Sequence, residues 1–175
     1  MTSQRSTATT IAAALSAAAL LASSFSPALA QAPAAVRTER NISLALANDI
    51  ASATVAACAA NGYAVAATVV DRAGTVRAVQ RADNAGPHTL GASQQKAFTS
   101  ASAKNTTLAM MENAQKNAAA TNLVYIPGFL LVGGGVPIKV GTETIGAVGV
   151  GGAPGGHLDE QCAMTALDKV KDQLK

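Results

Sequence analysis

The 175 residues carry 13 basic and 10 acidic side chains for a formal charge of +3, and only 3% of them are aromatic. A balance this small offers no broad cationic surface to nucleic acid, and the one arginine cluster, Arg72, Arg77 and Arg81, has no aromatic residue interleaved for base stacking. The length suits one domain built on a single core.

The chain opens with a polar stretch containing Arg5, an apolar run from Ile11 to Leu21 and the small-residue pattern Ala28-Leu29-Ala30. Such a run is too short to span a bilayer, and followed by A-x-A it reads as a secretory signal peptide over residues 1–30. The absence of paired arginines favours export as an unfolded chain over the twin-arginine route. Arg5 is the only charged residue removed by cleavage, so the formal charge falls from +3 to +2. The expected destination is periplasmic or secreted, and no later apolar run is long enough for a stable membrane anchor. Residues 31–40, rich in Ala and Pro, read as a flexible leader, and residues 41–175 as a single domain.

From Asn41 to Ala60 the apolar residues Ile42, Leu44, Leu46, Ile50 and Val55 recur at helical spacings with alanine between them, and Asn61-Gly62 supplies a stop. Tyr63 to Val70 and Thr75 to Arg81 then read as two strands joined at Asp71-Arg72-Ala73-Gly74, a hairpin turn. Asp83 to Pro87 breaks regularity. Leu90 to about Ala120 reads as two consecutive helices or one kinked helix, with the seam at Lys104-Asn105-Thr106, where Asn and Thr make good caps. Phe129–Val132, Val136–Val140 and Thr144–Val150 are short apolar runs separated by glycine, hence three further strands. A last helix runs from about Leu158 to Leu174. The order α-β-β-α-α-β-β-β-α, with tight turns between neighbours, gives an α+β fold: a five-stranded antiparallel sheet flanked by helices.

Gly151 to Ala163, G-G-A-P-G-G-H-L-D-E-Q-C-A, joins the last strand to the last helix. It has neither the lysine nor the hydroxyl of a Walker A loop, and Pro154 stands where a dinucleotide fingerprint needs its third glycine. A helix N-terminus can still bind an anion, but Asp159 and Glu160 already place carboxylates there, so the corner is expected to cap itself through Asp159 or its neighbour. Adjacent acids on a helix point to different faces, which argues against shared acid-base work. His157 sits where it can serve as a ligand at a pocket mouth. His88, in a loop held by Pro87, can coordinate a metal or haem iron, and an ordinary surface histidine is the other reading. No zinc-like spacing, H-E-x-x-H, C-x-x-C or G-x-S-x-G is present. Cys58 falls near the end of the first helix and Cys162 early in the last. In an exported chain the two either form a bridge worth ~4 kcal/mol or lie as two buried thiols.

Five pieces carry a resemblance: Val69-Val70-Asp71-Arg72-Ala73-Gly74; Arg81-Ala82-Asp83-Asn84-Ala85; Gln95-Lys96-Ala97-Phe98-Thr99; Gly134-Gly135-Val136-Pro137-Ile138; and Ile145 to Val150 leading into Gly155-Gly156-His157-Leu158-Asp159-Glu160. With them the chain resembles the GlcG/HbpS family of haem-binding and haem-degrading domains, which is similar to the C-terminal domain of PduO-type adenosyltransferases. The resemblance implies a five-stranded antiparallel sheet with flanking helices, frequent homo-oligomerisation and, in some members, haem or iron on an exported protein. It transfers no axial ligand.

The expectation is therefore an exported haem-binding protein that sequesters or senses haem, with His88 as the iron ligand, Lys96 or an arginine meeting a propionate, and His157 as the second imidazole. If neither histidine binds, a hydroxyl such as Thr106, a tyrosine or a backbone-lined pocket takes the role. No catalytic group is identified, and haem degradation rests on the resemblance alone. The alternatives are a small-metabolite-binding or accessory oligomeric module without iron chemistry, and a purely structural oligomer.

Overall fold

In the computed structural model, which describes residues 35–175, Ser43 starts the first helix by accepting the Leu46 amide at its hydroxyl. Such a cap is worth about 1 kcal/mol. Helix α1 (Leu44–Ala59) buries Leu46, Ala47, Ile50, Ala51, Thr54, Ala57 and Cys58, the three-and-four spacing of one helical face. The signal peptide expected over residues 1–30 lies outside the described residues. Thr38–Lys175 form one unit. Within it the end of the expected leader is fastened: Arg40 meets Glu143 at 2.7 Å, Arg72 meets Glu39 at 3.3 Å and Glu143 at 3.0 Å, and Ile42 donates its amide to the Ile145 carbonyl.

Strands β1 (Ala66–Asp71) and β2 (Val76–Arg81) form the expected hairpin. The Asp71 carboxylate organises its turn by accepting the Ala73 and Thr75 amides, each at 2.9 Å, and Gly74 takes a φ of 82° that favours glycine. Helix α2 (His88–Ala103) ends on Lys104 in the left-handed region at φ 56°, and Thr106 caps helix α3 (Thr107–Lys116) by accepting the Ala109 amide. The seam thus falls where the caps predict it. A 3-10 segment (Ala118–Tyr125) leads back to strands β3 (Gly135–Val140) and β4 (Glu143–Gly151), and helix α4 (Gly156–Lys169) closes the domain before a short 3-10 turn at Lys171–Gln173.

The sheet has four strands among the described residues, antiparallel throughout, in the order β2-β1-β4-β3. The fifth strand expected at Phe129–Val132 is corrected: that run has no ladder partner. Its backbone is satisfied by helix side chains instead, with the Thr99 hydroxyl accepting the Leu130 amide at 2.8 Å and the Thr107 hydroxyl donating to the Val132 carbonyl at 2.7 Å. The last helix also stops at Lys169 rather than Leu174.

The sheet is covered on both faces. Val69, Ile138, Val148 and Val150 pack with α1 and α4 in the main core, while Val70 and Ala147 meet Ala97 and Ala101 of α2 on the other side. All six β1 residues are buried, as a central strand between two helical layers requires. Cys58 and Cys162 are joined, which settles the alternative left open by the sequence and ties α1 to α4 across 104 residues. Helix α2 approaches β4 so closely that a Cβ on Gly149 would lie 2.0 Å from the Ser93 carbonyl oxygen and 2.4 Å from the Ala97 nitrogen. Glycine there sets the depth of α2, and with it the position of His88 and Lys96.

Candidate functional site

A hollow of about 350 Å3 opens between the N-terminal half of α2 and the corner that joins β4 to α4. His88, Ala92 and Lys96, spaced four apart on α2, form one wall; Leu130 and Val132 form a second; the Gly151–Gly156 backbone and Asp159 close it. His88 is the first residue of α2, after Pro87, and is exposed. Its imidazole lies over Gly86, where an added Cβ would come within 2.8 Å of the ring. His157 sits likewise over Gly155, whose added Cβ would come within 2.7 Å of the ring. His157 is exposed and does not line the hollow, although Gly155 beneath it does.

Lys96 is 4% exposed and Asp159 3%, and their side chains meet at 2.8 Å. The Lys96 ammonium also donates to the Val150 carbonyl at 2.8 Å, and the second Asp159 oxygen accepts the Ala153 amide at 3.0 Å. Of the three N–H donors on the ammonium, two are committed and one is left. The cap expected from Asp159 or its neighbour is corrected: Gly155 precedes α4 with no side-chain cap, and the Asp159 carboxylate instead ties back the loop by accepting the Ala153 amide. Burial holds the Asp159 carboxyl above the usual aspartate range, opposed by the Lys96 charge and by the hydrogen bonds from Lys96 and the Ala153 and Gly152 backbone. Glu160 turns away, to the Leu108 amide in the first turn of α3 at 3.3 Å, so the two neighbouring acids serve different elements.

The walls Leu130 and Val132 and the Asp159 partner of Lys96 were missed by sequence reasoning. A signal for the latter exists: Thr89, Ser93, Lys96, Ala97 and Ser100 trace the buried face of α2, and a lysine on such a face demands a carboxylate. Among the described residues no group of three His, Cys, Asp or Glu side chains is placed to hold a metal ion.

The family described as "Haem degrading protein HbpS-like" matches residues 42–168. The chain belongs to the HbpS-like family. Solved structures agree: a crystal structure of HbpS superposes at a TM-score of 0.72 with 34% identity, covering 78% of this chain and 94% of that one. A double mutant of Streptomyces reticuli HbpS gives 0.71 and 36%, covering 81% and 98%. The protein GlcG of Escherichia coli (strain K12) is 35% identical over 109 residues, 60% of this HbpS-like chain and 80% of GlcG. A PduOC:heme complex shares the fold at a TM-score of 0.67 and 22% identity, covering 73% and 94%.

Proposed function

We propose that this HbpS-like protein is an exported haem-binding protein that sequesters or senses haem, in the periplasm or outside the cell. Its family description names haem, a neighbour of the same fold has been solved with haem, and its first residues have the pattern of a signal peptide. The observation that carries the reading is His88 at the rim of a hollow whose other walls include Ala92, Leu130 and Val132: one imidazole beside apolar surface. The residues fit the group. His88 would ligate the iron, Leu130 and Val132 would offer apolar surface to the macrocycle, and the uncommitted Lys96 N–H would meet a propionate. His157, next to the lining residue Gly156 but outside the hollow, would be the second imidazole. When bound, haem supplies a redox-active iron; the chain's part is to hold it and to limit access of water.

Titration of the purified protein with hemin tests this. A saturable Soret shift at micromolar protein is expected, abolished or displaced by His88→Ala and altered less by His157→Ala. Absence of a saturable shift overturns the proposal. A second reading, a small organic acid in the same hollow, is favoured by the free Lys96 N–H. Thermal stabilisation by such an acid together with indifference to hemin selects it. The proposal includes homo-oligomerisation, supported by the large apolar side chains Val124, Tyr125 and Ile126 left in solvent.

A further inference from the structure

The Cys58–Cys162 bridge has a small hollow of its own. About 60 Å3 opens beside it between α4 and the loop after α1, lined by Asn61, Tyr63, Leu158, Gln161, Cys162 and Thr165. Asn61, Gln161 and Thr165 are exposed and Cys162 is 3% exposed, so the hollow leads from the surface down to a buried residue of the bridge.

Two short paths run from the bridge to the corner that lines the candidate site. Along α4, Cys162 stands three residues after Asp159, a spacing that puts both on one side of the helix, and both are buried. Behind α1, the Cys58 carbonyl accepts the Asn61 amide at 2.9 Å and the Tyr63 amide at 3.1 Å. The chain then presses on the corner itself: a Cβ on Gly152 would lie 2.6 Å from the Ala64 carbonyl oxygen and 2.9 Å from the Val65 Cα. Bridge, loop, corner and the first turns of α4 therefore close a circuit, and Gly152, Ala153 and Asp159 are the part of it that lines the site with Lys96. The rest of both helices is fixed independently, through Ile50 and Ala51 of α1 and Ala163 of α4 in the main core.

We propose that the bridge is a thiol-sensitive brace for the corner: a small dithiol reaching Cys162 through the hollow reduces it, and the corner then loosens around Asp159 and holds ligand more weakly. Because Cys162 lines the hollow, one thiolate attacks its sulfur; the S–S bond breaks and the electron pair leaves on Cys58, which takes up a proton. The second thiolate of the reagent attacks the reagent's own sulfur in the mixed disulfide and displaces Cys162, which is protonated in turn. The dithiol is oxidised to a disulfide, and the protein gains two electrons and two protons. Gly155 offers α4 no side-chain cap, so without the bridge the first turn of α4 is held by the Lys96–Asp159 pair and by Glu160. The effect on ligand rests on the proposed site; the brace itself does not.

Hydrogen exchange on the full chain tests the brace without any ligand. Dithiothreitol is expected to open the bridge in the folded protein and to speed exchange at the Ala153 and Asp159 amides about 10-fold or more, with β1 amides and far-UV circular dichroism unchanged. The variant Cys58→Ala with Cys162→Ala should exchange at the same fast rate and ignore dithiothreitol. Hemin titration of that variant, free of a reagent that itself ligates iron, should give binding about 5-fold weaker or more than that of the oxidised wild type. Corner amides unmoved in both, or β1 amides released as far as the corner, overturn the brace. A bridge that stays closed in dithiothreitol overturns its thiol sensitivity. Wild-type hemin affinity in a variant with a loosened corner overturns the link to ligand, whereas a wild type that binds no hemin overturns the haem reading and leaves the exchange result to decide the brace.

Discussion

Lys96 and Asp159 exchange their hydration for each other, the Val150 carbonyl and the Ala153 amide. Removing one partner leaves a buried charge without its counterion, so Lys96→Met is expected to cost about 3–5 kcal/mol in urea unfolding. Lys96→Met with Asp159→Leu should recover most of that, because no charge is then stranded. Haem binding separates the two roles of the lysine: if it both holds the corner and meets a propionate, the recovered double variant still binds hemin more weakly. The pH dependence has a defined sign. The Asp159 carboxyl is raised in the folded state, so its contribution is present below the ordinary aspartate range and is lost as pH rises through the raised value. Relative to Asp159→Asn, the wild type should gain stability as pH falls through that window.

Helix α2 carries one wall of the candidate site, and its seat on the sheet is set by Gly149 and Gly135. A Cβ on Gly135 would lie 2.4 Å from the Lys96 carbonyl oxygen, a backbone atom that cannot swing aside. Gly149→Ala should therefore cost about 1–3 kcal/mol or more in denaturant unfolding, and weaken hemin binding by displacing His88. Features fixed by local chemistry were legible in the sequence: the Asp71 turn, the Thr106 cap and the stop after α1 each depend on residues a few positions apart. Phe129–Val132 was not, because an apolar run flanked by glycine looks the same whether its backbone pairs with a strand or with Thr99 and Thr107. The candidate site was half legible. His88 was read in the loop just ahead of the helix that carries Lys96, and the structure makes it that helix's first residue, but Asp159 is 63 residues from Lys96 and reaches it only through the packing of α2 against the corner.

Across the whole domain, the N-terminal segment is strapped to the sheet by Glu143, which Arg40 and Arg72 both engage. The Arg40 hydrogen bond and charge, with help from Arg72 and against the effect of burial, hold the Glu143 carboxyl below the usual glutamate range. The sign is opposite to that of Asp159: this contribution is present above the ordinary glutamate range and is lost as pH falls through the lowered value. Wild type and Glu143→Gln should differ in stability at neutral pH and converge in acid, measured by denaturant midpoints at a series of pH values. Reduction of the Cys58–Cys162 bridge should lower stability by about 4 kcal/mol in the chain-entropy picture. In covalent terms the bridge makes residues 58–162 a ring with a tail at each end. A protease that nicks the exposed turn at Tyr125 opens that ring without releasing either part, so the cut chain should run as one species on a gel until thiol is added and as two fragments afterwards.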